Sequence, residues 1–335
     1  MKILISTGIY PPKIGGPSQY AFNLKKEFEK VGHIVKVATY GIEEKLPTGI
    51  RHIFFLFKAV PVVFHSDIVF VLDTMSVGLP TVLACKMLGK GCVIRTGGDF
   101  LWEQYVERTK KKILLRNFYQ TEVQTLSFKE NIIFRLTAWT LNNASKVIFS
   151  TEWQKEIFVK AYKLEKSKTS IIENFYGPKE SDKNADSKLF LASARNIFLK
   201  NLNVLQNIFN SQEVKEKGGR LFGGVIPFDE LMDKMRCCYA VLSVSVSEIS
   251  PNIIMDAIRL NRPFICTKEV GIFDRVKEAG IFVDPLNEED IKKAVLHLLT
   301  EDGYAEAKRK VMSFNFTHTW PEIAKEFLSI GCNLK

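Results

Sequence analysis

Apolar residues fall along this chain in two kinds of block that alternate from end to end. Short unbroken runs such as Ile3-Leu4-Ile5, Val93-Ile94, Tyr239 to Val244 and Phe264-Ile265-Cys266 read as strands buried on both faces. Longer stretches repeat every three or four residues, as Ala21, Leu24 and Phe28 do, and read as helices with one apolar face. The pattern predicts strands at Lys2–Ser6, Cys92–Thr96, Lys146–Ser150, Thr169–Ile172 and Phe190–Ser193, and a helix from Trp153. Trp320–Leu328 reads as a further amphipathic helix. Strand and helix alternating in this way imply an α/β protein with parallel sheets. A polar connector at Tyr176–Lys188, containing Gly177-Pro178 and Ser181-Asp182-Lys183-Asn184, divides the alternation in two. With 335 residues and 46% hydrophobic content, the chain is long enough to bury two cores.

Two segments carry candidate chemistry. In Ser247-Glu248-Ile249-Ser250-Pro251-Asn252-Ile253, Ser250 is suited to cap a helix and Pro251 to its first position, so Asn252–Asn261 is predicted helical. Free N–H groups at Asn252 and Ile253 would then attract phosphate. Glu248 precedes the cap and Asp256 lies two helical turns into the helix, about 11 Å further on. That separation suits two hydroxyl-bearing sugars of one extended ligand better than the carboxylate pair of a hydrolase. A capped surface helix fits the same residues. In the second segment, Arg195 and Lys200 follow the Phe190–Ser193 run. At the carboxyl end of a parallel strand, a guanidinium fork and a mobile ammonium can both reach a diphosphate, although either alone is commonly a solvated charge.

Arg195 and Lys200, the glycine turn Gly223-Gly224, Glu248, Asp256 and Lys268-Glu269-Val270-Gly271-Ile272-Phe273-Asp274 follow one another in an order and spacing that resembles the family 4 retaining glycosyltransferases. The resemblance implies the GT-B fold: two Rossmann-like, doubly wound domains facing a central cleft. It implies a first domain over 1–177, a nucleotide-sugar-binding domain over 185–318, and a helix over 320–335 that packs back on the first. It implies that Arg195 and Lys200 hold the donor diphosphate, that Glu248 contacts the transferred sugar, and that Asp256 binds the nucleotide ribose. Asp256 stands where the family usually has Glu; a carboxylate shorter by one methylene still accepts two hydroxyls. Gly15-Gly16-Pro17-Ser18 matches the family's glycine-rich loop, permitting close backbone approach to a phosphate or acceptor and supplying N–H donors at helix entry, though an ordinary strand-to-helix turn has the same composition. Gly97-Gly98-Asp99 occupies the region where many relatives have a catalytic-site His. Asp99 is either a hydrogen-bond acceptor for sugar or acceptor substrate, or the cap of a helix through Trp102.

The resemblance further implies transfer of a hexose-type sugar from a nucleoside-diphosphate sugar to a glycan or lipid-linked acceptor hydroxyl, with retention and without an enzyme nucleophile. Arg195, Lys200 and the Asn252 and Ile253 N–H groups would take the place of a metal ion, and Gly15, Gly16, Gly224 and Ser250 are further candidates for binding the donor. No cofactor is expected. A binding protein without catalysis and a sugar-phosphate-using enzyme of the same form are the two rival readings. Neither a G-x-G-x-x-G nor a P-loop pattern occurs, which disfavours a dehydrogenase or a P-loop NTPase.

Net charge of +10 invites an anionic partner. Arg108, Lys110, Lys111, Lys112 and Arg116, interleaved with Ile113, Leu114 and Leu115, read either as a solvated helix face or as a first-domain helix on an anionic membrane. Nucleic acid is not expected, for want of a binding motif. The apolar run Ile53–Leu72 is interrupted by Lys58, Pro61, His65 and Asp67, so no membrane span is predicted and a cytoplasmic protein is expected, peripheral at the membrane if the basic segment docks there. The six cysteines lack metal-ligand spacing and most read as reduced core residues.

Overall fold

The computed structural model describes residues 1–13, 15–192 and 195–334, and all of their side chains but that of Ile42. Residues Met1–Leu101, Tyr119–Asn174 and Thr319–Lys335 form one compact unit; Trp102–Phe118 and Phe175–His318 form a second. The stretch Trp102–Phe118 thus groups with the carboxy-terminal half of the chain.

The first unit is built on six strands: β1 (Lys2–Ser6), β2 (Ile34–Ala38), β3 (Ile68–Val71), β4 (Val93–Arg95), β5 (Lys146–Phe149) and β6 (Thr169–Ile171). They form one parallel sheet in the order β2-β1-β3-β4-β5-β6. The second unit holds β7 (Leu189–Ala192), β8 (Arg220–Gly223), β9 (Ala240–Ser243), β10 (Phe264–Thr267) and β11 (Ile281–Val283), parallel in the order β11-β10-β9-β7-β8. The expected end of β7 at Ser193 lies outside the described residues. Counted from its own first strand, each sheet runs second, first, third, fourth, fifth, with a sixth strand added in the first unit, an order in which the direction of winding reverses between the first and third strands. The expectation of doubly wound α/β sheets is met.

Alternation explains why the strands read as unbroken apolar runs. In the second sheet Phe190, Ala192, Ala240 and Leu242 enter a core with Leu205, Ile208, Val295 and Leu298. Their neighbours Leu191, Val241, Phe264 and Cys266 enter a separate core with Ile254, Ile258 and Val276 on the opposite face. Both faces of this sheet are covered by helices, so the middle positions of its strands are apolar and polar residues such as Arg220, Ser243 and Thr267 stand at their ends. In the first unit Leu4, Val69, Val71, Ile94 and Phe149 pack with Phe55, Ala59 and Val63. On the other face Phe28 stacks on Phe70, and Phe70 meets Phe327 edge-on, which fixes helix Trp320–Cys332 against β3 and helix Gly16–Lys30.

Three local expectations are corrected. Ser250 is not the cap of its helix, which runs Asn252–Arg259 with Pro251 at the cap position and no side-chain capping bond. Pro251 itself is extended at ψ 107°, so helical geometry starts one residue later than the Ser-Pro pattern suggests; Asn261, at φ 55°, is past the helix end. Gly16 does not precede the first helix but begins it, with Pro17 in its first turn and Gly15 as its cap. The basic run Arg108–Arg116 is not a helix face: Phe100–Thr109 ends where Lys110 turns left-handed at φ 54°, and the next helix starts only at Leu115. Among the described residues no helix is long and apolar enough to cross a membrane. Of the cysteines, Cys85, Cys92, Cys238 and Cys266 are buried and all six are free thiols.

Candidate functional site

Ligands of open parallel sheets bind beyond the carboxyl ends of the strands, where the winding reverses. In the second unit that point lies between β7 and β9. Beyond β7 the chain passes Arg195 and makes a single 3₁₀ turn, Phe198–Lys200, closed by Asn201 in the left-handed conformation. Beyond β9 it passes Ser245 and Ser247 to Glu248, and then enters helix Asn252–Arg259.

These two loops are tied together by their backbones. The Val246 N–H donates to Leu199 O at 2.9 Å, and the buried amide of Asn201 donates to Val244 O and Pro285 O, both at 2.9 Å. Asn tolerates the left-handed turn and its side chain replaces the hydrogen bonds that the loops cannot make themselves. The β10 loop joins on the other side: Glu248 N–H donates to Glu269 O and Gly271 N–H to Glu248 O, at 2.9 and 3.0 Å. Glu248 is therefore held on both sides by main chain, and its carboxylate accepts from Ser245 Oγ at 2.7 Å and from Lys200 Nζ. The Lys200 and Glu248 side chains are only 19% and 16% exposed, so the pair is shielded from solvent and interacts strongly.

Arg195 is the exposed member, with 66% of its side chain open and its guanidinium 3.2 Å from Glu103. Burial pushes the Glu103 carboxyl above its ordinary range, against the pull of Arg195 and Lys200 and with a further push from Glu248. Two cations and two carboxylates thus share one electrostatic neighbourhood. The Trp102–Phe118 segment lies over them: Glu107 accepts from Leu199 N–H at 3.3 Å, Lys110 sits 5.5 Å from the Phe198 ring centre, and Leu115 N–H donates to Ser247 Oγ at 3.0 Å. Arg116 approaches Glu269 at 2.6 Å. Gly224, at φ 148° with open space where a Cβ would point, follows β8 and its N–H reaches Ala192 O at 3.4 Å.

Asp256 faces a different set of partners. Its side chain is 17% exposed, and burial pushes its pKa up to about 6 although Arg259 stands 3.4 Å away. Arg259 is held more closely by Glu180, at 2.7 Å.

The remaining candidates belong to the first unit and are described within it. Gly15, at φ 153°, caps helix Gly16–Lys30, and a Cβ there would lie 3.0 Å from Ile9 Cδ1. The Ser18 and Gln19 N–H groups donate to Gly15 O. Asp99 is 3% exposed and accepts from Tyr119 Oη at 2.6 Å; Tyr119 in turn meets Tyr162 Oη at 2.6 Å. Burial, with the Asp99 charge, pushes both phenols well above their ordinary range. Arg95, at the end of β4, is 7% exposed, donates to Asn174 Oδ1 at 2.6 Å and lies 3.9 Å over the Tyr20 ring.

Among the sequence-predicted residues, Arg195, Lys200 and Glu248 come together, with Asn252 and Ile253 four and five positions beyond Glu248 at the start of a helix. The reading of the sequence assigned no individual role to Glu103, Ser245 or Asn201. Ser245 was legible as a small polar residue three before Glu248; Glu103 meets Arg195 across 92 positions and left no local signal. Among the described residues no cluster of three or more His, Cys, Asp or Glu side chains is placed to hold a metal ion.

No protein-family model matches this chain, and no curated protein matches it in sequence. Solved structures do. Sucrose-phosphate synthase from Thermosynechococcus elongatus is 13% identical over 99% of this chain and 98% of that one, with a TM-score of 0.72. WaaG, a glycosyltransferase involved in lipopolysaccharide biosynthesis, is 14% identical over 98% and 99%, with a TM-score of 0.66. Anabaena HepE in complex with UDP is 14% identical over the whole of both chains, with a TM-score of 0.63. At such identities the likeness is one of fold, and the chain has the fold of the GT-B glycosyltransferases.

Proposed function

We propose that the protein is a glycosyltransferase that moves a hexose-type sugar from a nucleoside diphosphate to the hydroxyl of a glycan or lipid-linked acceptor, with retention at the anomeric carbon. The observation that carries this reading is the convergence of Arg195, Lys200 and Glu248 on the switch point of the second sheet. HepE, of the same fold, has been crystallised with UDP and glucose.

As the bond from the anomeric carbon to the diphosphate breaks, negative charge grows on the departing oxygen. Lys200 and Arg195 meet that charge, and the N–H groups of Asn252 and Ile253 add the positive end of a helix. These groups take the part a divalent ion plays in other transferases, so the reaction is proposed to need no metal. Glu248, fixed by its two main-chain bonds and by Ser245, accepts hydrogen bonds from the sugar; Asp256 accepts from the ribose; Gly224 gives the nucleotide room beside β7. Gly15 and Gly16, the latter now at the helix start, and Asp99 are proposed for donor and acceptor contacts in the first unit. Because Asp99 is buried on Tyr119, it serves such contacts by orienting that network, or after exchanging its phenol partner.

Lys200 and Arg195 are both neutralised by carboxylates here, and a diphosphate must compete with Glu248 and Glu103 for them. Assay of a panel of nucleoside-diphosphate sugars and acceptors against the parent and Arg195→Ala tests the reading. Transfer by the parent, lost in a variant of unchanged melting temperature, is expected; equal transfer by both overturns the site. Nucleotide binding without turnover across the panel would instead favour the non-catalytic reading.

A further inference from the structure

The helix Ile50–Phe64 buries one face and leaves the other bare. Phe55, Ala59 and Val63 are fully buried against the first unit's core. On the opposite side Ile50, Ile53, Phe54, Phe57 and Phe64 are exposed, at 47, 57, 57, 72 and 60%. Their spacing of three and four residues places them, with Pro61, in one stripe along the outward surface. Isolated exposed apolar residues are ordinary, but a row of three phenylalanines and two isoleucines on one helix is a contiguous patch.

Charge identifies what covers it. The helix contains no Asp or Glu, while Arg51 and Lys58 border the stripe. Lys58, 43% exposed, pairs with Glu43, and Lys90 reaches in from a neighbouring loop to cap the helix end at Val63 O and Phe64 O. An isologous contact with a second copy would set these cations against their own counterparts, with no acid on the helix to pair them. An apolar stripe edged by cations is the composition that lies in the headgroup region of an anionic bilayer.

We propose that helix Ile50–Phe64 docks the first unit on an anionic lipid surface, its phenylalanines entering the acyl boundary and Arg51 and Lys58 meeting the headgroups. In the Arg108–Arg116 run, Arg108 lies 5.2 Å from the Tyr105 ring centre, Lys110 lies against Phe198 and Arg116 against Glu269, all within the second unit.

The test is co-sedimentation of the full chain with vesicles of phosphatidylcholine alone and of phosphatidylcholine with phosphatidylglycerol, alongside light scattering of the free protein. Binding to the anionic vesicles is expected to exceed binding to neutral ones by at least about tenfold. Phe54→Ser/Phe57→Ser should lower it by at least about tenfold with an unchanged melting temperature, and Lys58→Gln by several-fold. Equal binding by parent and double variant, no binding to either vesicle, or a dimer that dissociates in the double variant would each overturn the proposal.

Discussion

The two sheets share one winding order, yet the ends of their strands carry opposite kinds of chemistry. At the switch point of the second sheet, between β7 and β9, Lys200, Arg195, Glu248 and Glu103 share one electrostatic neighbourhood. At the corresponding point of the first, between β1 and β3, polar groups are spent on structure. Ser6 Oγ meets Thr81 Oγ1 at 2.8 Å, and Asp73 accepts from Ser76 Oγ and from the N–H groups of Val77 and Gly78 at the start of helix Gly78–Met87. The two sheets share a topology and differ in the chemistry of their loops, and it is from the loops that a function is proposed.

The contrast is broken most directly at the second unit. Arg195→Ala should lower transfer about 10²–10³-fold, as removal of one charge-stabilising donor does elsewhere, with little change in urea midpoint because the side chain is 66% exposed. A comparable loss of stability would make Arg195 structural, and the two ends alike.

Asp256 sharpens the comparison through pH. Its folded-state pKa, raised to about 6 from the ordinary 3.8, means that the folded state prefers the neutral acid. Its contribution to stability is therefore complete below about pH 4 and is lost as pH rises through about 6. Replacing Asp256 with Asn removes that dependence. Between pH 4 and pH 7 the parent should lose roughly 2–3 kcal/mol relative to the variant in urea unfolding; a pH-independent difference would show that the carboxyl is not destabilised by burial.

Tyr119→Phe probes the first unit. Taking the phenol from Asp99 and from Tyr162 should cost about 1–3 kcal/mol of stability, read from the denaturation midpoint. If Asp99 instead works mainly on substrate, transfer would fall and the midpoint would stay. The smallest effect is expected for Glu103→Gln. The Arg195 side of the pair is 66% exposed, so the pair is worth at most about 1 kcal/mol and nucleotide affinity should rise by no more than a few-fold. Weaker binding in this variant would make Glu103 a ligand-orienting residue and not a competitor.

Much of this was legible in the sequence for a stated reason. Strands buried on both faces betray themselves as apolar runs, and β1, β5, β9 and β10 were located within a residue or two. Arg195, Lys200 and Glu248 were legible because each sits just beyond such a strand, where position alone implies a shared end of the sheet. What stayed hidden depended on contacts far apart in sequence. The Trp102–Phe118 segment gave only a run of charges alternating with leucines, and its attachment to the Lys200 loop comes from Glu103, Glu107 and Leu115 meeting residues 92 to 132 positions away. Ser250 misled because Ser-Pro is a good helix start in isolation, whereas Pro251 is extended and itself takes the cap position. The apolar stripe of Ile50–Phe64 was hidden too, since period alone does not say which side of a helix with hydrophobic residues all round faces the core.

The central claim, that Lys200 and Arg195 hold a nucleoside diphosphate at the reversal of the second sheet, is tested most directly by titration calorimetry. The parent, Lys200→Met and Arg195→Ala would each be titrated with a panel of nucleoside diphosphates. At least one nucleotide should bind the parent, and each variant should bind it at least about tenfold more weakly while melting at a similar temperature; parent-like affinity in both variants would contradict the account.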